Sequence, residues 1–273
     1  PILWSTQGVG PAFATYDPDE GAMEGVHTGT DAPLLLLKSS SDMVVTVNRN
    51  GRAQLLDPEL FTTAFEYRAL GMLSAAYLPP DGFVAGKNRT SRFLSSLVYI
   101  NTDTGETIPV ADESVVVYQL AYDERGQELY SLGVEVEEDG SLRTALRQRS
   151  EGNLDRSRLL LSRDGEDLTA SFAVDPDTGY VYTTVGHESI VLLSGQRTRE
   201  FTITDHVPRK LYVHRNFLYS LNRDSSITVF QKYSGQRLMD IYLFQNDGWA
   251  AIVHGTGEYV SERADSYLTV VRR

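Results

Sequence analysis

The 273-residue sequence contains no cysteine. That excludes disulfides, thiolate nucleophiles and cysteine-ligated zinc together. A chain of this length without a thiol also fits an oxidising compartment. An extracytoplasmic location, periplasmic or surface, is therefore favoured over the cytoplasm. Lysine is scarce, at 4 residues against 21 arginines, and acids outnumber bases 37 to 25. The formal charge of −12 argues against the phosphate-neutralising patch that nucleic-acid binding needs. It equally disfavours anionic lipid, and solubility accounts for most of it. Long apolar runs are missing: the densest, Leu34 to Leu37, stops at Lys38. That is far short of the roughly 18 residues of a membrane helix, so no membrane insertion is expected. No G-x-S-x-G elbow, P-loop or G-x-G-x-x-G fingerprint occurs, which removes the common nucleophile and phosphate-cradle signatures. The chain opens on Pro1 without a charged leader, and reads as one domain, 1–273, excised from a longer chain.

What is present is a repeat. The turn Ser234-Gly235-Gln236-Arg237 restates Ser194-Gly195-Gln196-Arg197, 40 positions earlier, and Asp103-Thr104-Gly105-Glu106 is related. The strand DSSITVF at 224–230 is echoed by DSYLTVV at 265–271, 41 positions later. Leu218-Tyr219-Ser220 has equivalents at Val181-Tyr182-Thr183 and Leu129-Tyr130-Ser131. Asp175, His214 and His254 fall at matching places. Units open near residues 33, 72, 116, 170, 209 and 249, each a set of short β-branched and aromatic strands between Gly, Asn and Asp turns. A period of about 40 to 45 residues with four strands per unit is the propeller signature. The expectation is an all-β propeller of six four-stranded antiparallel blades, or seven if residues 11–32 hide strands. The last unit is short, so Ile2 to Thr6 is expected to pair with it and close the ring through N- and C-terminal strands. Residues 57–70, opening on Asp57-Pro58, could form a short helix; the repeat places a strand there.

Residues 220–238, SLNRDSSITVFQKYSGQRL, resemble a degenerate WD40-type unit, with Phe230-Gln231 where that family has Trp-Asp. Leu56-Asp57 is the nearest match to the closing dipeptide. The family's Gly-His dipeptide does not occur in this unit, which implies that its internal hydrogen-bond tetrad is absent. The chain is therefore similar to the broader WD40-like or YVTN-like propellers. Asp247, Gly248, Trp249, Gly257, Tyr259 and Ser261 resemble the tail of certain bacterial members. Quinoprotein propellers repeat tryptophan in each blade; here only Trp4 and Trp249 occur, so no quinone cofactor is implied.

The five histidines are His27, His187, His206, His214 and His254. His214 and His254, at equivalent turns, read better as residues inherited through the repeat than as metal ligands, and His187-Glu188 reads better as a solvated turn than as a ligand or catalytic base. Asp17-Pro18-Asp19-Glu20-Gly21 and Asp175-Pro176-Asp177-Thr178-Gly179 lack EF-hand spacing and read as Asx turns. Asn88-Arg89-Thr90 fits a glycosylation sequon, a pattern that also arises by chance. No catalytic residue, metal ligand or cofactor is assigned. Function on such a scaffold is expected at the turns of one face: Arg49 and Asn50, His187 and Glu188, Arg223 and Asp224, Arg263 and Asp265. Three of the four turns carry arginine, which is favoured at interfaces and pairs bidentately with carboxylates. The expected function is a non-catalytic protein–protein interaction scaffold, with a protein partner or another domain of the parent chain on that face. The alternative is a channel-centred, hydrolase-like enzyme or a small-ligand or metal-binding propeller.

Overall fold

The computed structural model of the chain describes residues 2–5, 13–17, 22–26 and 34–39 as backbone strands. It describes 43–57, 60, 62–88, 95–167, 170–186, 189–195, 197–203, 206–244 and 248–262 in fuller detail. All regular structure there is β, arranged as six antiparallel sheets in chain order. The residues fall into two compact units, 1–168 and 169–273.

In the first unit, β1 (Ile2–Ser5), β2 (Phe13–Asp17) and β3 (Ala22–Val26) form a three-stranded sheet. A second sheet holds β4 (Leu34–Ser39), β5 (Val44–Asn48), β6 (Arg52–Leu56) and β7 (Thr63–Arg68). A third holds β8 (Met72–Leu78), β9 (Gly82–Lys87), β10 (Leu97–Asn101) and β11 (Thr107–Val110). The fourth has the longest strands: β12 (Ser114–Asp123), β13 (Glu128–Val136), β14 (Leu142–Ser150) and β15 (Asn153–Asp164). Alternation of apolar residues gives each sheet a face to bury. Val45, Val47, Ala53, Leu55, Met72, Tyr77, Phe83 and Ile100 close one core between the second and third sheets. Val84, Leu97, Val110, Val117, Leu120 and Leu129 close the next.

In the second unit, β16 (Phe172–Val174), β17 (Val181–Val185), β18 (Ser189–Ser194) and β19 (Arg197–Thr202) form a four-stranded sheet. It packs on a six-stranded one: β20 (Pro208–His214), β21 (Phe217–Asn222), β22 (Ile227–Gln231), β23 (Arg237–Leu243), β24 (Trp249–Val253) and β25 (Tyr259–Glu262). Tyr182, Ile190, Leu192, Phe201, Leu211, Leu218 and Phe230 form the core between them.

The closed six-blade propeller, and its seven-blade variant, are not formed: among the described residues no sheet closes into a barrel or ring. Two local pairings account for this. The Phe244 N–H donates to the Gly248 carbonyl at 2.8 Å, so the chain reverses within five residues. Trp249–Val253 then pairs directly with β23, from Leu243↔Trp249 to Met239↔Val253, instead of opening a sheet of its own. At the other end β1 pairs with β2, Ile2↔Tyr16 to Ser5↔Phe13. The other five expected unit starts do coincide with first strands, at β4, β8, β12, β16 and β20. Residues 11–32 contain β2 and β3. Residues 63–68 are strand β7, as the repeat required. Its Asp-Pro head makes a turn, in which Asp57 N–H reaches the Thr62 carbonyl at 3.0 Å and Asp57 Oδ1 accepts from Leu60 N–H at 2.8 Å. Among the described residues no helix is long and apolar enough to cross a membrane.

Candidate functional site

The residues singled out from the sequence fall into two groups. Arg49 and Asn50 are exposed in the β5–β6 turn of the first unit. Arg223 and Asp224 are exposed in the β21–β22 turn of the second. His187, Glu188, Arg263 and Asp265 lie outside the described residues, as do His27, residues 18–21 and residues 89–90.

The β21–β22 turn is built by its own polar side chains. Asp224 Oδ1 accepts from the Ser226 N–H at 3.0 Å and from the Ser226 hydroxyl at 2.6 Å. Asn222 donates to Ser226 Oγ at 3.0 Å and to Thr228 Oγ1 at 2.9 Å, and accepts from the Ser220 hydroxyl at 2.8 Å. Outside the turn, His206 Nδ1 lies 2.9 Å from Asp224 Oδ2. The other ring nitrogen, Nε2, faces the Tyr242 hydroxyl at 3.4 Å and Asp240 at 4.0 Å. Asp240 is buried on β23, where it accepts from Arg237 Nε at 3.1 Å and meets His254 Nε2 at 2.6 Å. Burial pushes the Asp240 carboxyl up, but Arg237 and His254 more than offset it and hold it below its ordinary value. Asp224 is likewise held low: burial raises it, while the Ser226 hydrogen bonds and His206 lower it further.

This constellation superficially suggests a nucleophile, a base and an acid, but its wiring is wrong for that chemistry. Ser226 donates to the carboxylate and not to the imidazole. Serine and aspartate both approach the same ring nitrogen, Nδ1. A triad needs them on opposite nitrogens. The network instead ties the segment before β20 to the β21–β22 turn and to β23. Among the described residues no group of three or more His, Asp or Glu side chains is disposed to hold a metal ion.

Other charged clusters are similarly self-contained. Lys232, 2% exposed at its side chain, reaches Asp175 at 2.9 Å. Arg149 and Asp112 pair at 2.8 Å with both side chains inaccessible. Glu135 is shared by Arg143, at 2.7 Å, and Arg147. Burial raises the Glu135 carboxyl, and the two guanidiniums bring it below its ordinary value.

The most unusual surface is apolar. Cross-strand register puts Leu211, Leu218, Thr228, Phe230, Asp240 and Ala250 on one face of the β20–β25 sheet. That face packs on β16 and β17, and Leu218 and Phe230 are 0% and 2% exposed. The opposite face carries Tyr212, Tyr219, Val229, Met239, Ile241, Leu243, Trp249, Val253 and Val260. It is as apolar as the first, yet Tyr212, Leu243 and Val260 are 54%, 57% and 58% exposed. Sequence reasoning missed this face because it looked at turns. The signal was there: ITVFQ, MDIYL and WAAIV are apolar at both alternating positions, the mark of a sheet meant to be covered on both sides.

No protein-family model matches the chain. No curated protein matches it either. Among solved structures it is similar to the computationally designed protein Ika8, known from a crystal structure, with a TM-score of 0.60 over 95% of this chain and 85% of that one. At 12% identity the likeness concerns the fold alone.

Proposed function

We propose that the chain is a non-catalytic protein-interaction module that works through the face of the β20–β25 sheet that carries Tyr212, Leu243 and Val260. One observation carries the reading: Tyr212, Leu243 and Val260, on one face of the β20–β25 sheet, are 54%, 57% and 58% exposed. Exposed apolar patches larger than about a few hundred Å² mark interaction sites on soluble proteins. The alternative of a catalytic site has its best candidate in His206, Asp224 and Ser226, whose hydrogen bonds are committed to the scaffold. Leu243 gives the test. A photo-crosslinking amino acid at position 243, compared with one at the exposed turn residue Leu70 (86% exposed), is expected to capture protein in an extract of the source organism. Position 70 serves as the background. Equal yields at the two positions would remove the reading.

A further inference from the structure

We propose that Lys232 and Asp175 close an autocatalytic isopeptide bond, a covalent modification that ties the β16–β17 turn to the end of β22. It uses other residues than the interaction face, and the pair is held here with the bond still unformed.

Placement comes first. Lys232 directly follows β22 and Asp175 directly follows β16. Their side chains are 2% and 0% exposed, with Nζ 2.9 Å from Oδ2. A nitrogen at that distance from a carboxylate oxygen is about 3–3.5 Å from the carboxyl carbon, a near-attack separation. Both groups are pinned. Asp175 Oδ1 accepts from the Asp177 N–H at 3.2 Å and Oδ2 from the Thr178 hydroxyl at 2.7 Å, so the Asp-Pro-Asp-Thr-Gly turn fixes the carboxylate. The Lys232 N–H donates to the Asn216 carbonyl at 3.0 Å, which fixes the backbone on the other side. The neighbouring core residue Tyr182 is 0% exposed, and its hydroxyl meets no hydrogen-bond partner among the described residues. Burial, followed by the Asp175 charge, pushes that phenol well above its ordinary value.

Residue type matters as much. Two other buried ion pairs, Arg149–Asp112 and Arg147–Glu135, use arginine, in keeping with a chain of 21 arginines and 4 lysines. A guanidinium keeps its proton and does not attack a carboxyl; a lysine amine can. Asp177 is the third group, its Oδ2 3.6 Å from Nζ and its side chain 68% exposed. At rest the proton is on Lys232: burial opposes it, and Asp175 with Tyr233 more than restores it. Asp177 gives that proton a way out. It accepts one proton from the ammonium, and the freed amine attacks Cγ of Asp175, forming the N–Cγ bond. Asp177 then hands its proton to the carboxyl oxygen and relays a second one from the nitrogen. The Cγ–O bond breaks and the oxygen leaves as water. One ammonium and one carboxylate become one amide and one water, without oxidant, reductant or co-reactant. Burial favours the product, because a neutral amide replaces two desolvated ions. In a chain without cysteine such a bond does what a disulfide does elsewhere, constraining the unfolded state.

The test is the intact mass of the purified full chain, followed over prolonged incubation. The wild type is expected to become one water lighter than its sequence, and a tryptic digest to contain a branched peptide joining the Asp175 and Lys232 segments. Lys232→Arg and Asp175→Ala are expected to keep the full mass. Asp177→Asn, at an exposed side chain where folding is not at stake, is expected to slow the loss of water by about 100-fold or more, the usual worth of a proton-transfer group. Circular dichroism checks the fold of each variant. A folded wild-type chain that keeps its full mass throughout overturns the inference. So does a loss of water that survives in Lys232→Arg, because it then comes from cyclisation at an Asp-Gly step such as Asp139-Gly140. Asp175 itself cannot cyclise in that way, since Pro176 has no N–H. Wild-type rates in Asp177→Asn overturn it too, since the three-group site is then not what forms the bond.

Discussion

At Lys232 an ammonium occupies a site where an apolar side chain would ordinarily be found. It follows β22, is almost inaccessible, and faces Asp175 at 2.9 Å with the Tyr233 ring 5.0 Å away. Asp175 is the head of the Asp-Pro-Asp-Thr-Gly turn, where its carboxylate also accepts from Thr178 Oγ1 at 2.7 Å. Burial lowers the affinity of Lys232 for its proton, and Asp175 together with Tyr233 reverses that, leaving the ammonium held above its ordinary value. Such a pair contributes little over an apolar replacement of both partners, because desolvation offsets the attraction. Removing one partner is a different matter. Lys232→Met strands the Asp175 carboxylate inside the second unit and is expected to cost about 3–5 kcal/mol, read as a lower urea midpoint. Lys232→Arg, which keeps the charge, is expected to recover part of it. Arg149 is the counterpart in the first unit. It donates to Asp112 at 2.8 Å and to Ser131 Oγ at 2.6 Å, while its Nε finds no acceptor.

At the scale of elements, the repeated turn is the clearest case of sequence dictating structure. Gly195 and Gly235 both take left-handed backbone angles, φ 62° and 70°, at the β18–β19 and β22–β23 connections. Gly235 is the more constrained of the two. A Cβ there would sit 2.1 Å from the Phe201 ring, whereas at Gly195 it would meet nothing. Gly235→Ala is therefore expected to cost more than Gly195→Ala, by about 1–3 kcal/mol from overpacking, and differential scanning calorimetry of the two variants checks the order. The sequence made these turns legible, along with five unit starts, because a glycine requirement and a period-two pattern are both local. Ring closure was not legible. The spacing of the unit starts suggested a sixth independent sheet opening near residue 249. Pairing, however, is decided by which edge lies within reach, and the short reversal after Phe244 puts β24 on β23. The same limit hid the candidate surface: Tyr212, Ile241 and Trp249 share a face only once five strand pairings fix the register.

At the scale of the whole molecule, both units rely on carboxylates held in the charged form by neighbouring hydrogen-bond donors, guanidiniums among them. Glu135 depends on Arg147 and Arg143 in the first, and Asp240 on Arg237 and His254 in the second. The sign of the resulting acid sensitivity follows from the direction of those shifts. Both carboxyls titrate below their ordinary values in the folded chain. The unfolded chain, with carboxyls near their usual pKa of about 4, therefore takes up protons first. Stability from these groups is fully present above about pH 5. It declines as the pH falls through the folded values, because each proton bound favours the unfolded state. The urea midpoint is expected to drop between about pH 5 and pH 2. Glu135→Gln and Asp240→Asn should be less stable than wild type at pH 7 yet lose less over that window, since neither retains the carboxyl that is protonated. Parallel slopes for variants and wild type would place the acid sensitivity on other groups. A shallower slope in Glu135→Gln alone would assign it to the first unit, where two guanidiniums share one carboxylate.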